Sequence, residues 1–204
     1  MKLLKVRITF IQDCLGTASA DPEIHSNYIA SNAPDAPSRK EEIEAIGVDA
    51  VEEKQKTIFP KDTDGNPLFF DYQIKGFFKD SCGALQRMKG EKTAKESCGL
   101  KAYKKVIDGC IFVYPRRIRI NLAGEIGDLQ RPLRAQTAQG ERIALAHSET
   151  IPEGSSIEVE IETPDTYEPV VREWLEYGRK KGLGQWRNAG FGRFTYEILE
   201  TAVA

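Results

Sequence analysis

Strict alternation opens the chain. Leu4, Val6, Ile8 and Phe10 fall on one side of residues 2–12, and Lys5, Arg7 and Thr9 on the other, which predicts a strand with one buried and one basic face. Residues 111–122 read the same way past a break at Pro115, with Ile118, Ile120 and Leu122 alternating with Arg117, Arg119 and Asn121. In a third strand Ile157, Val159 and Ile161 alternate with Glu158, Glu160 and Glu162. A fourth runs from Arg193 to Leu199, with Phe194, Tyr196 and Ile198 inward. Helical spacing marks Tyr72 to Met88, where Ile74, Phe77, Phe78, Leu85 and Met88 share a side. A second helix carries Val171, Trp174, Leu175 and Gly178 inward, with Asp165 and Glu168 as its expected capping box.

Between these elements the pattern weakens. Residues 17–66 read as an insertion through Asn32-Ala-Pro-Asp-Ala-Pro37, with Ser38 and Glu41 capping a short helix. Asp64-Gly65 is expected to turn between two short strands; the spacing around it does not fit a calcium loop. Glu91 to Gly99 is polar and expected as loop, and 131–148 as a projecting hairpin turning at Gln139-Gly140. The segment Gly182-Leu-Gly-Gln-Trp-Arg-Asn-Ala-Gly-Phe-Gly192 joins the second helix to the last strand. Glycine admits positive φ and close backbone approach, by a phosphate or by another part of the same chain. No Lys follows Gly190 or Gly192, so this is no Walker loop, and Arg187 stands where a dinucleotide fingerprint needs its third Gly. Trp186, Arg187 and Asn188 within it supply a stacking face, a fixed cation and an amide, a mix suited to unstacked bases and phosphates.

Charge sharpens the picture. The net charge of −2 argues against a general polyanion binder, yet residues 72–134 carry fourteen Lys/Arg against six Asp/Glu, flanked by acidic blocks. Lys75 and Lys79 share a helical face near an N-terminus, which a bound anion or pairing with Asp71 or Asp80 would relieve. Cys14, Cys82, Cys98 and Cys110 form no Cys-x-x-Cys pair and are expected as reduced, buried thiols, with no metal or cofactor implied. No apolar run spans a membrane and the charged first strand is no signal peptide, so a cytoplasmic protein is expected.

The order of these parts resembles the RAMP (repeat-associated mysterious protein) superfamily, especially the repeating backbone subunits of CRISPR effector complexes. The likeness rests on the Leu15-Gly16 turn after the first strand and on Tyr72-Gln-Ile-Lys-Gly-Phe-Phe-Lys-Asp at the first helix. It rests also on Arg131-Pro-Leu through Ala146-His-Ser-Glu-Thr-Ile-Pro-Glu-Gly, and on the glycine loop from Gly182 to Arg193. It leaves out 17–66 and 90–110. The resemblance implies one α+β, ferredoxin-like (RRM-related) domain over residues 1–204, an antiparallel sheet with helices on one face, a long insertion and a projecting β-hairpin. It implies a protein that binds single-stranded guide-type RNA side by side with like subunits, as a homo-oligomer or within an effector complex.

Carried over by position, the resemblance implicates Lys75, Lys79, Arg131, Arg134, Trp186, Arg187, Asn188 and Arg193; the basic strand face adds Lys5 and Arg7. These cations are expected to converge on one uncovered sheet surface beside the glycine loop. Some relatives cut RNA with an Asp after the first strand; here that region is the insertion, leaving Asp35 a nominal candidate, and neither His25 nor His147 has an evident acid–base partner, so no catalysis is expected. The alternatives are a single-stranded DNA binder and a free-standing or virus-borne relative that binds a protein instead.

Overall fold

The computed structural model describes residues 1–19, 56–137 and 140–203; the expected Ser38–Glu41 cap, Asp35 and His25 lie outside them. In chain order the strands are β1 (Lys2–Phe10), β2 (Cys14–Leu15), β3 (Ala18–Ser19), β4 (Thr57–Ile58), β5 (Leu68–Phe70), β6 (Phe112–Tyr114), β7 (Arg117–Asn121), β8 (Gly127–Thr137), β9 (Gly140–Ile151), β10 (Ser156–Thr163) and β11 (Phe194–Val203). Four helices occur among the described residues: α1 (Asp71–Leu85), α2 (Lys95–Gly99), α3 (Tyr103–Cys110) and α4 (Glu168–Lys181). The fold is mixed α+β.

The main sheet runs β11-β1-β10-β7-β5, with β6 also on β10, and all its pairings are antiparallel. Alternation does what the sequence implied except at Leu122, which lies past the end of β7 and is exposed. Leu4, Val6, Ile8 and Phe10 of β1, Ile157, Val159 and Ile161 of β10, and Ile118 and Ile120 of β7 are buried. They pack against Ile74, Phe77, Phe78 and Leu85 of α1 and Val171, Trp174 and Leu175 of α4 in one apolar cluster. Removing such side chains from water is the main stabilising term, worth ~1.5–3 kcal/mol for each fully buried large apolar residue. Gly178 is where α4 meets the sheet most closely, since a Cβ there would stand 2.3 Å from the Phe194 ring.

A second sheet, β2-β9-β4-β3 with β8 on β9, is built around the β8–β9 hairpin. That hairpin is longer than the expected 131–148, with ladder pairs from Gly127↔Thr150 to Thr137↔Gly140. β4 joins β9 in parallel at Thr57↔Ser148 and β2 joins it antiparallel, so the hairpin base is tied to the chain just before residue 17 and to β4, on which β3 pairs in turn.

Other local expectations need correction. The Asp62–Asn66 turn forms, but closes only the bridge Lys61↔Pro67; β4 and β5 pair with other strands. Residues expected as loop after Glu91 form a 3-10 turn (Lys92–Ala94) and α2. Asp165 and Glu168 do not make a capping box: α4 starts after a 3-10 turn with Tyr167 as its cap residue and Glu168 already inside it. Cys14 and Cys82 are buried as expected, whereas Cys98 is exposed and Cys110 half-buried.

Candidate nucleic-acid interface

The glycine loop begins where α4 ends, at Gly182 with φ +74°, and its other glycines also take positive φ. Its closeness is answered first by the chain itself. A Cβ on Gly192 would lie 1.8 Å from the Leu183 carbonyl oxygen, and one on Gly184 would lie 2.6 Å from Cys14 Sγ. The Leu183 N–H donates to Gly192 O (2.8 Å) and the Gly192 N–H to Asp13 O (2.7 Å), which pins the loop to the segment after β1.

The tip of the loop is less committed. Trp186 is a non-glycine residue in the left-handed region (φ 48°), a conformation that persists only where its surroundings hold it. Its ring stacks on Phe191 (5.4 Å, 21°). Arg187 is fixed by Asp80 of α1 (2.7 Å), a contact that uses one of five guanidinium N–H donors. Among the described residues the backbone N–H groups of Gly184, Gln185 and Trp186 have no acceptor. Two cavities meet here. One of about 340 Å³ is lined by residues 184–188, and one of about 250 Å³ lies between Gly184 and Arg187 on one side and Thr17, Gln73 and Gly76 on the other. Gln73 fixes that wall by accepting the Phe70 N–H (2.7 Å) and donating to Thr17 Oγ1 (2.7 Å). Arg193 is exposed and its guanidinium lies over the Gly190 turn. Asn188 is exposed at the rim.

The remaining cations are elsewhere. Lys79 pairs with Asp108 of α3 (2.6 Å), and Lys75 lies over the Phe112 ring (5.3 Å) and donates to Asp108 O (3.4 Å). They therefore occupy one flank of α1, while Gly76 and Asp80 face the glycine loop from the other. Neither expected partner of these lysines is used: Asp80 holds Arg187, and Asp71 holds Arg116 (2.9 Å). Lys5 and Arg7 do point to the open face of the sheet, but β1 lies between two acidic strands. Lys5 sits opposite Glu160 and Glu200, and Arg7 opposite Glu158 and Glu197, with Arg7 Nη2 2.8 Å from Glu158. Arg131 is exposed on β8 opposite Ala146; Arg134 is further along the same strand, its side chain outside the described residues. The expected convergence on one basic face does not occur. The cations form separate groups, and the centre of the open face is charge-compensated.

Sequence reasoning missed a polar cluster at the hairpin base. His147 Nε2 lies 2.8 Å from Asp128 Oδ2, and Lys56 Nζ 2.5 Å from Asp128 Oδ1. Burial acts to raise the Asp128 pKa, but hydrogen bonds from Lys56 and His147 outweigh it and leave the carboxyl below its ordinary range. His147 Nδ1 is buried without a partner among the described residues. The β8–β9 register brings His147 to Asp128 and the parallel β4–β9 pairing brings Lys56, so no local signal could have grouped them.

Neither a family model nor a curated protein matches this chain. A solved structure does: a chain of the Type III-B Cmr-beta assembly bound to cognate target RNA, at a TM-score of 0.51 and 13% identity, over 98% of this chain and 60% of that one. The likeness is one of fold, and the chain spans about 60% of the length of that neighbour.

Proposed function

We propose that this chain is a RAMP-type module that binds single-stranded RNA through the glycine loop and the facing wall of α1. One observation carries the reading. Backbone amides with no acceptor among the described residues, a half-covered indole and a guanidinium held by Asp80 surround two cavities that share Gly184 and Arg187. Consecutive amides near left-handed residues form an anion-binding concavity, the guanidinium adds a charge-assisted donor, and Trp186 offers its uncovered side to a base. The order β11-β1-β10-β7, with α1 and α4 on one side, supports a ferredoxin-like single domain, with 17–66 inserted and the hairpin projecting. The fold likeness to a subunit of an RNA-bound assembly agrees with this reading and with assembly beside other subunits.

Lys75, Lys79 and Arg131 contribute long-range attraction rather than contacts in this cavity, and Lys5 and Arg7 serve the sheet. Fluorescence anisotropy with a single-stranded RNA at two salt concentrations tests the reading. Wild type should bind with a steep salt dependence, and the double variant Arg187→Ala/Arg193→Ala should bind at least 10-fold more weakly, with a shallower slope. An unchanged affinity in that variant would discard the loop as the binding surface. The same titration with single-stranded DNA decides between the two strand chemistries.

The open sheet face supports a second reading for that surface alone. Across β11, β1 and β10, Glu158, Glu160, Glu162, Glu197 and Glu200 outnumber Lys5 and Arg7, with Arg117 and Arg119 set apart on β7, and this acidic part suits a basic protein surface rather than a phosphate chain. Light scattering before and after nuclease treatment separates protein-mediated from strand-mediated assembly.

A further inference from the structure

A cavity of about 250 Å³ opens between the chain just past the C-terminal end of α1, the 3-10 turn before α2, and α4, and shares no lining residue with the glycine loop's own cavities. Met88 and Tyr177, both half-buried against the core, give it an apolar and aromatic floor. Its volume lies below the ~300–1,000 Å³ of pockets that enclose a whole drug-sized ligand, which leaves space for one ring system with the rest of the ligand outside.

The rim is cationic in effect although two glutamates line it. Glu173 accepts the backbone N–H groups of Glu96 (3.0 Å) and Ser97 (2.8 Å) and also the Ser97 hydroxyl, which turns its carboxylate toward α2 without cancelling its charge; Lys92, Arg179 and Lys180 still exceed the two glutamates by one. Glu176 is matched by Arg179 (3.2 Å). Lys92 and Lys180 remain, both exposed and both without an ion-pair partner among the described residues. Lys181 follows Lys180, and Lys89 stands three residues before Lys92 with the exposed acid Glu91 between; neither lysine has an ion-pair partner among the described residues. An aromatic floor under free cations matches a flat ring joined to phosphates, since the ring's hydrophobic area and the phosphates' charge are satisfied by different parts of one site.

We infer that this cavity takes one unpaired base of a bound single strand, stacked on Tyr177, with Lys92 and Lys180 on the adjoining phosphates. The inference rests on the single-strand reading above for the ligand class, and not on the glycine loop. Each subunit would then hold its strand at two places, one at either end of α1.

The test is binding of a single-stranded RNA by wild type, Lys92→Ala/Lys180→Ala and Arg187→Ala/Arg193→Ala. Circular dichroism checks the fold of each; the lysines are exposed, so folding is not at risk. The lysine pair should weaken binding about 10-fold at low salt and reduce the log–log salt slope by about 1.4, from ~0.7 per phosphate contact on a single strand. Loss in both pairs is the expected result and supports the inference and the glycine-loop reading together, whereas loss in the lysine pair alone supports the inference and removes the glycine-loop reading. Loss in the arginine pair alone overturns the inference and leaves that reading standing, and loss in neither overturns both. A strand with 2-aminopurine at successive positions, bound to Trp186→Ala protein, tests the ring. Quenching at one position, lost on Tyr177→Leu, is expected; no position-specific quenching would overturn the stacking on Tyr177.

Discussion

Gly192→Ala separates the glycines that the fold requires from those that only form turns. Gly192 has φ +70°, where a side chain costs about 1–2 kcal/mol. A Cβ there would also stand 1.8 Å from Leu183 O and 2.8 Å from Leu183 C, so backbone rather than a side-chain end must move. That movement breaks the Leu183 N–H to Gly192 O bond and disturbs the Gly192 N–H to Asp13 O bond, each worth about 1 kcal/mol net. The total is about 3 kcal/mol. Gly190→Ala shares the positive φ (+95°) but meets nothing closer than 3.5 Å, at the flexible Arg193 guanidinium, so only the conformational cost of about 1–2 kcal/mol applies. Gly76→Ala, inside α1 with open space around it, should instead stabilise by about 0.5–1 kcal/mol. Urea unfolding of the three variants at constant m gives the ranking directly. Should Gly192→Ala cost no more than Gly190→Ala, the close approach of Gly192 to Leu183 is not what holds this loop.

Two further outcomes concern thiols and acid. At pH 8 a thiol-specific chromogenic reagent should titrate Cys98 first and Cys110 more slowly; Cys14 and Cys82, whose thiols burial pushes up (Cys82 to about 11), should react only on unfolding. A fast phase that survives Cys98→Ser would contradict this. Glu168 is held below the ordinary glutamate range by hydrogen bonds from Lys2 first and Arg172 second. A lowered folded pKa stabilises above the unfolded value of about 4.3 and stops doing so as pH falls through the folded one. The gap in urea midpoint between wild type and Glu168→Gln should therefore hold from pH 7 to 5 and narrow below that; a gap independent of pH down to 2.5 would refute it.

The alternating strands and the two amphipathic helices were legible because burial of one face writes a period of 2 or 3.6 directly into the sequence. Phe10, Ile118, Val159 and Trp174 all went where that period put them. α2 and α3 were illegible because each is too short to show a period, and Glu173, 76 residues beyond Ser97, does part of the work of holding α2. The misplaced surface has a similar cause. The acidic outer edge of β10 was read correctly from Glu158, Glu160 and Glu162, but its position next to β1 is a matter of strand order, which local pattern does not encode. Lys79 likewise found Asp108 rather than a carboxylate on its own helix, because α3 brings that residue alongside.

The pairing of β1 with β10 has a consequence for how this sheet finds its alignment. Bases at Lys5 and Arg7 face a row of glutamates repeating every second residue, and Val6 and Ile8 face an equally regular apolar row. Sliding one strand by two residues would match cation to anion and hydrocarbon to hydrocarbon almost as well. The information that forbids the slip therefore sits at the rim, where Gly154 donates to Phe10 O (2.8 Å) and Phe10 donates to Ser155 O (2.9 Å). The middle of the sheet supplies adhesion, and the corner at Gly154 supplies the address.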